Sequence, residues 1–96
     1  MRRFRLARRA EEDVTEIYAF GYEMFGAAQA DHYADTMFET FERLAQNPRM
    51  GRLAESIAPG IRRHEHRSHV ILYEQASDGV LILAVVHGRS VRRLSL

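Results

Sequence analysis

The spacing of apolar residues changes along the chain, and each change marks a new element. Arg3 to Ala7 alternates, with Phe4 and Leu6 on one side, and predicts a short strand. From Arg9 the spacing lengthens to that of a helix. Ala10, Val14, Ile17, Tyr18, Gly21 and Phe25 share one face, and Glu11, Glu12 and Asp13 suit the positive end of the helix dipole. Gly26 is a natural stop. Ala30, Tyr33, Met37, Phe41 and Leu44 form the stripe of a second helix, widened by Ala34 and Phe38 and ended by Asn47-Pro48. With so short a joint at Gly26, the two helices should form an antiparallel hairpin. Residues 49 to 60, bounded by Gly51 and Pro59-Gly60, read as a loop, and Ile61 to His66 as a strand.

The final stretch, HVILYEQASDGVLILAVVHGRS from His69 to Ser90, reads as two strands turning at Asp78-Gly79. A strand with one wet face alternates apolar and polar residues. Here Val70 to Tyr73 and Val80 to Val86 are apolar on both faces. The order strand, helix, helix, strand, strand, strand groups like elements together, so the fold class is α+β. A helical hairpin covers one face of a small sheet and leaves the other open. Either residues 49 to 60 and the C-terminal tail cover that second face, or a partner chain lies on it or extends the sheet edge.

Composition narrows the setting. A chain of 96 residues is enough for one domain, 1–96, with a modest core. It has no cysteine, which excludes disulfides, thiol catalysis and thiolate metal sites. The longest apolar run, Val80 to Val86, is far too short to cross a membrane. The basic start MRRFRLARRA lacks the apolar centre of a signal peptide, which points to the cytosol.

Net charge is only +1, and all 14 basic residues are Arg. Five arginines open the chain. Acidic residues then run without interruption from Glu11 to Glu42, and arginine dominates again from Arg43. One basic and one acidic surface are expected if the ends meet in space. Arg62, Arg63 and Arg67 could touch a nucleic-acid backbone, but so low a net charge and the lack of a reading motif argue against direct DNA recognition by this chain. His64 and His66 share a strand face at a spacing a metal could use, with His69, Glu65 or Glu74 as third ligand. Nothing fixes that third ligand, so two solvated or paired histidines are expected and neither metal nor cofactor is called for.

The order and spacing of several short segments resemble the ParE toxins of bacterial ParD–ParE toxin–antitoxin modules, within the wider RelE-like superfamily. These segments are Arg5-Leu6, Ala10 with Asp13 and Ile17, Phe25-Gly26, Asn47-Pro48-Arg49-Met50-Gly51, Pro59-Gly60-Ile61-Arg62, His69-Val70-Ile71-Leu72-Tyr73 and Val86-His87-Gly88-Arg89. One departure is Ala7-Arg8, where such sequences usually carry Ser or Ser-Pro; Ala cannot accept a capping hydrogen bond, at a cost of about 1 kcal/mol.

The resemblance implies a small antiparallel sheet with a helical hairpin on one face. It implies inhibition of DNA gyrase, with neutralisation by a ParD-like antitoxin whose C-terminal segment supplies the missing cover. On that reading Tyr18, Tyr22, Ile71, Tyr73, Leu83 and Val85 meet the antitoxin, and Arg89, Arg92 and Arg93 meet the target. RelE-like relatives offer an alternative, ribosome-dependent mRNA cleavage, which needs a base, an acid and cations around the phosphorane. Its candidates here are His87, with Glu65 or Glu74 as base and Arg62, Arg63, Arg67 or Arg89 on phosphate. After His87 the chain has neither Tyr nor Lys, which those nucleases usually keep, so a structural role for His87 and no catalysis are expected.

Overall fold

The computed structural model describes the backbone of residues 2–93 and the side chains of residues 2–91. Strand β1 (Arg3–Leu6) leads into helices α1 (Arg8–Phe25) and α2 (Ala27–Gln46). Strands β2 (Arg52–Leu53), β3 (Arg62–His66), β4 (His69–Ala76) and β5 (Gly79–His87) follow, and a 3₁₀ turn spans Gly88–Arg93. Ala7 stands at the head of α1 with no side-chain cap. Gly26 is both the end of α1 and the head of α2; its φ of 89° lets the chain reverse with no residue to spare.

The sheet order is β1-β5-β4-β3-β2. β3 to β5 form the expected antiparallel meander; β2, inside the stretch read as a loop, adds a short fifth strand beside β3, and β1 joins β5 in parallel, so the sheet is mixed. The whole helical hairpin separates β1 from the later strands. No tight turn therefore forces antiparallel pairing, and the connection is long enough for a parallel one. The pairing Phe4↔Val80 and Leu6↔Ile82 brings the apolar side of β1 under the helices. Gly79, at φ 145°, is required at the start of β5, because a Cβ there would stand 1.8 Å from the Arg3 carbonyl oxygen.

A register shift explains the evenness of β5. Leu72 pairs with Ala84, but Tyr73 pairs with Ile82, so Leu83 is an extra residue. The bulge lets Val80, Ile82 and Val85 all face the helices, although 82 and 85 are out of step for a regular strand. Asp13 pins α1 beside it: its Oδ2 accepts the Val85 N–H at 2.9 Å.

Two cores result, one on each face of the sheet. The larger joins Phe41, Leu44, Met37 and Ala10 of the helices to Ile71, Tyr73, Val80, Ile82 and Val85. Phe4, Phe38 and Phe41 pack there at centroid distances of 5.2 to 5.9 Å. The smaller joins Val70, Leu72, Ala84 and Val86 to Ile61, Ile57 and Ala58 of the loop before β3 and to Val91 of the 3₁₀ turn. Of the two readings of the second face, cover by the chain's own loop and the segment after β5 is the one found, and the antitoxin cover implied by the resemblance is not needed there.

Tyr73 ties the two halves together. Its hydroxyl donates to the Pro48 carbonyl at 2.8 Å and accepts the Gly51 N–H at 2.7 Å, fixing the chain where it leaves α2 for the second face.

Candidate functional site

A large open groove lies beside the helical hairpin. α1 outruns its packing surface, and its last turns hold Phe20, Tyr22, Met24 and Phe25 at 62, 53, 59 and 59% exposure. Beside them this groove, of about 1070 Å³, runs between α1 and α2 to the end of the sheet. Val14, Ile17 and Phe20 line it from α1, Tyr33 and Met37 from α2, and Arg67, His69 and His87 at the sheet end. Apolar walls with a few polar groups at one end are the usual make-up of a recognition groove. The helical wall is further shaped by Tyr18, whose hydroxyl donates to Asp31 Oδ1 at 2.6 Å. That hydrogen bond, above all, raises the Tyr18 pKa.

The sheet end carries a row of three histidines. His66 lies opposite His69, and His69 opposite His87, so all three point to the same face. Tyr33 of α2 packs over the first two, with ring centroids 5.3 and 5.7 Å away, and His87 packs edge-on to His69 at 5.7 Å. His66 is held from α2 by Thr36 at Nε2 (3.2 Å) and Thr40 at Nδ1 (3.3 Å), and Arg43 donates to Thr40. Burial pushes the His66 and His69 pKa values below the usual 6.5; for His66 the cations Arg67 and Arg43 add to it, for His69 the neighbouring His87. Burial likewise raises the Tyr33 hydroxyl.

Several expected site residues fall elsewhere. Ile71, Tyr73 and Val85 are 0, 0 and 3% exposed beneath the helices, so a partner cannot reach them without unpacking the larger core. Leu83, on the bulge, is half-buried against the smaller core. Tyr22 is exposed and Tyr18 half-buried, both on α1 near the groove.

The nuclease constellation is not assembled. Glu65 and His66 are adjacent in β3 and so face opposite sides of the sheet; His66 shares its side with His87, which leaves Glu65 on the other. Glu65 instead pairs with Arg52 at 3.1 Å. His87 Nδ1 accepts the Arg89 N–H at 3.2 Å at the start of the 3₁₀ turn. Arg62 donates to the Gly51 carbonyl at 2.7 Å, a structural contact. His66 engages Thr36 and Thr40 with its two ring nitrogens, and among the described residues no cluster of three or more His, Asp or Glu is arranged to hold a metal. Arg89 is exposed at the end of β5; the side chains of Arg92 and Arg93 lie outside the described residues.

Phe25 reads as core by spacing yet is exposed, at the last residue of α1. The signal for an open helix end was nonetheless present: Phe20, Tyr22 and Met24 are apolar residues off the main stripe, crowded into the last two turns.

Comparison with known proteins agrees with this architecture. Residues 4–92 match the family described as the ParE toxin of the type II toxin–antitoxin system parDE. Toxin ParE1 of Caulobacter vibrioides is 36% identical over 87 residues, which are 91% of this chain and 90% of that protein. Toxin ParE1 of Mycobacterium tuberculosis is 32% identical over 88 residues, again 91% and 90%. A solved structure, the chromosomal ParDE toxin–antitoxin system from P. aeruginosa, superposes with a TM-score of 0.75 over 91% of this chain and 96% of that one, at 22% identity, and shows the same fold. The chain with the open groove and the histidine row thus belongs to the ParE toxin family of type II toxin–antitoxin systems.

Proposed function

We propose that this toxin inhibits DNA gyrase as a binding protein rather than an enzyme, and that a ParD-like antitoxin neutralises it by occupying the groove between the helical hairpin and the sheet end. One observation carries the antitoxin site: the large exposed apolar side chains of α1 border a groove that the chain leaves unfilled. Exposed apolar surface of this kind marks a protein contact. An amphipathic segment laid in such a groove would bury Phe20 and Phe25 while leaving both cores intact. The gyrase target follows from the family resemblance. The exposed Arg89 at the end of β5, with Arg92 and Arg93 after it, supplies guanidinium groups suited to an anionic protein or DNA surface.

The test is reconstitution. Purified toxin should inhibit gyrase supercoiling without ribosomes, and the antitoxin encoded in the adjacent reading frame should relieve the inhibition. Replacing Arg89, Arg92 and Arg93 together by Ala should abolish inhibition and change antitoxin affinity by less than about tenfold. Ribosome-dependent mRNA cutting with gyrase unaffected would refute the target assignment.

A further inference from the structure

The row of histidines at the groove's end has a hydrogen-bonding layout that the fold does not require. The Tyr33 hydroxyl is 2.6 Å from His69 Nδ1 and 3.2 Å from the His66 carbonyl oxygen. It can donate to only one of them. With His69 neutral, the short contact is a Tyr33 O–H donated to Nδ1, which places the imidazole proton on Nε2. With His69 protonated, Nδ1–H donates to Tyr33, and Tyr33 turns its own proton to the His66 carbonyl. Both protonation states are therefore satisfied by groups already in place, and in both Nε2–H is a donor. His87 is arranged alike: Nδ1 accepts the Arg89 N–H, so the neutral ring also carries its proton on Nε2. Neither Nε2 has a hydrogen-bond partner among the described residues.

A second, independent feature stands at the same place. The β3–β4 turn is Arg67-Ser68, two residues long. Such turns need positive φ and normally take glycine or asparagine. Arg67 has φ 56° and is the only non-glycine residue at positive φ among the described residues. Strain of this kind persists where the side chain has a use. Arg67 lines the end of the groove beside Tyr33 and His69, and it makes no ion pair among the described residues.

We propose that Arg67, His69 and His87 form a carboxylate-binding site at the end of the groove, and that its ligand is an acidic side chain of the antitoxin segment. The inference rests on the antitoxin reading above. Charge complementarity identifies the ligand. From the turn, β3 and β5 the site is faced by Arg67, His66 and His87, with His64 further along β3, and from the 3₁₀ segment by Ser90. From α2 it is faced by Tyr33 and His32, and by Arg43 through Thr40, and from α1 by Arg9. The carboxylates lining the groove are Asp13 and Glu16 of α1; Asp13 is already held by Arg9 at 3.5 Å and by the Val85 N–H. The sheet end offers two imidazole N–H donors and a guanidinium, and no carboxylate from its own strands.

Binding should then take up protons. An anion beside His69 favours its charged form, so affinity should rise as pH falls. Calorimetry with the adjacent-frame antitoxin, in two buffers of different ionisation enthalpy, reads this directly. From about pH 8 to about pH 6 affinity should tighten roughly tenfold, with about one proton taken up. In His69→Gln the amide keeps a neutral donor, so binding at high pH should persist and the pH dependence should flatten. Arg67→Gly should raise the melting temperature of the toxin, because glycine suits positive φ, and yet weaken the complex roughly tenfold. A pH-independent affinity without proton uptake overturns the site, as does wild-type affinity in Arg67→Gly. If no complex forms with the adjacent-frame antitoxin at any pH, the antitoxin reading falls and this site with it; a tight complex indifferent to pH removes only the site.

Discussion

The sheet's second face and the outer end of the helical hairpin look alike in composition and differ in fate. Val70, Leu72, Ala84 and Val86 make a face that a short α+β chain has no second helical layer to cover, yet a loop and a 3₁₀ turn close over it. Phe20, Tyr22, Met24 and Phe25 sit on an ordinary amphipathic helix, yet remain exposed. The difference teaches that a strand apolar on both faces marks burial without saying by what. A long, mostly irregular segment such as residues 47–61, with only the short β2 inside it, can supply the cover if it is anchored, and Tyr73 provides the anchor at Pro48 and Gly51. A helix end with large apolar residues off its stripe has no such remedy nearby.

The comparison can be broken first at the sealed face. Leu72→Ala removes a fully buried side chain from the smaller core and should cost about 2 to 5 kcal/mol, read by denaturant unfolding of the free toxin. A cost under about 0.5 kcal/mol would mean that this face is open in solution and would return it to the list of partner surfaces.

Next in size is the anchor. Tyr73→Phe leaves the Pro48 carbonyl and Gly51 N–H without their buried partner and should cost about 1 to 3 kcal/mol. Hydrogen exchange should speed up at Gly51 and along residues 54–61, with α1 and α2 little changed.

The open end should behave in the reverse way. Phe20→Ser with Phe25→Ser should change stability by no more than about 0.5 kcal/mol for each exposed site and still weaken antitoxin binding more than about tenfold. Solubility of the free toxin should improve.

The smallest effect is on pH. His66 and His69 have folded-state pKa values below the unfolded value of 6.5. The unfolded chain therefore binds more protons as the pH drops, and the free toxin should lose stability as pH falls through and below 6.5. Above that value their contribution should be flat. Thermal melts from about pH 8 to about pH 5 check the sign, and His66→Gln should reduce the slope. The same protonation that loosens the free toxin should tighten its complex, so the two pH dependences have opposite slopes.

Much of the architecture was readable from spacing, because helix and strand periods are local properties. The two helices, their joint at Gly26 and the end at Asn47-Pro48 stand where the residues predict, and the final hairpin turns one residue earlier than expected, at Ser77-Asp78, with Gly79 opening β5. The parallel pairing of β1 was not, since it depends on which edge remains free after the meander forms. Nor was the bulge at Leu83, which decides the face of every residue before it in β5. That bulge is why Val80 and Ile82 lie under the helices together with Val85, while Ala84 faces the loop. The groove had a legible half in the crowded apolar residues of α1. Its other half did not, because Tyr33, His69 and His87 meet only when α2 crosses the sheet end, and Tyr33 alone looks like a core residue.

The most direct measurement is hydrogen–deuterium exchange on the toxin with and without its antitoxin. Protection is expected in the last two turns of α1, in α2 around Tyr33 and at the Arg67-Ser68 turn, with residues 54–61 exchanging at the same rate in both states. Protection concentrated in residues 54–61 and around Val91, with the end of α1 unaffected, would contradict the placement of the partner on the helical hairpin and put it on the sheet's second face.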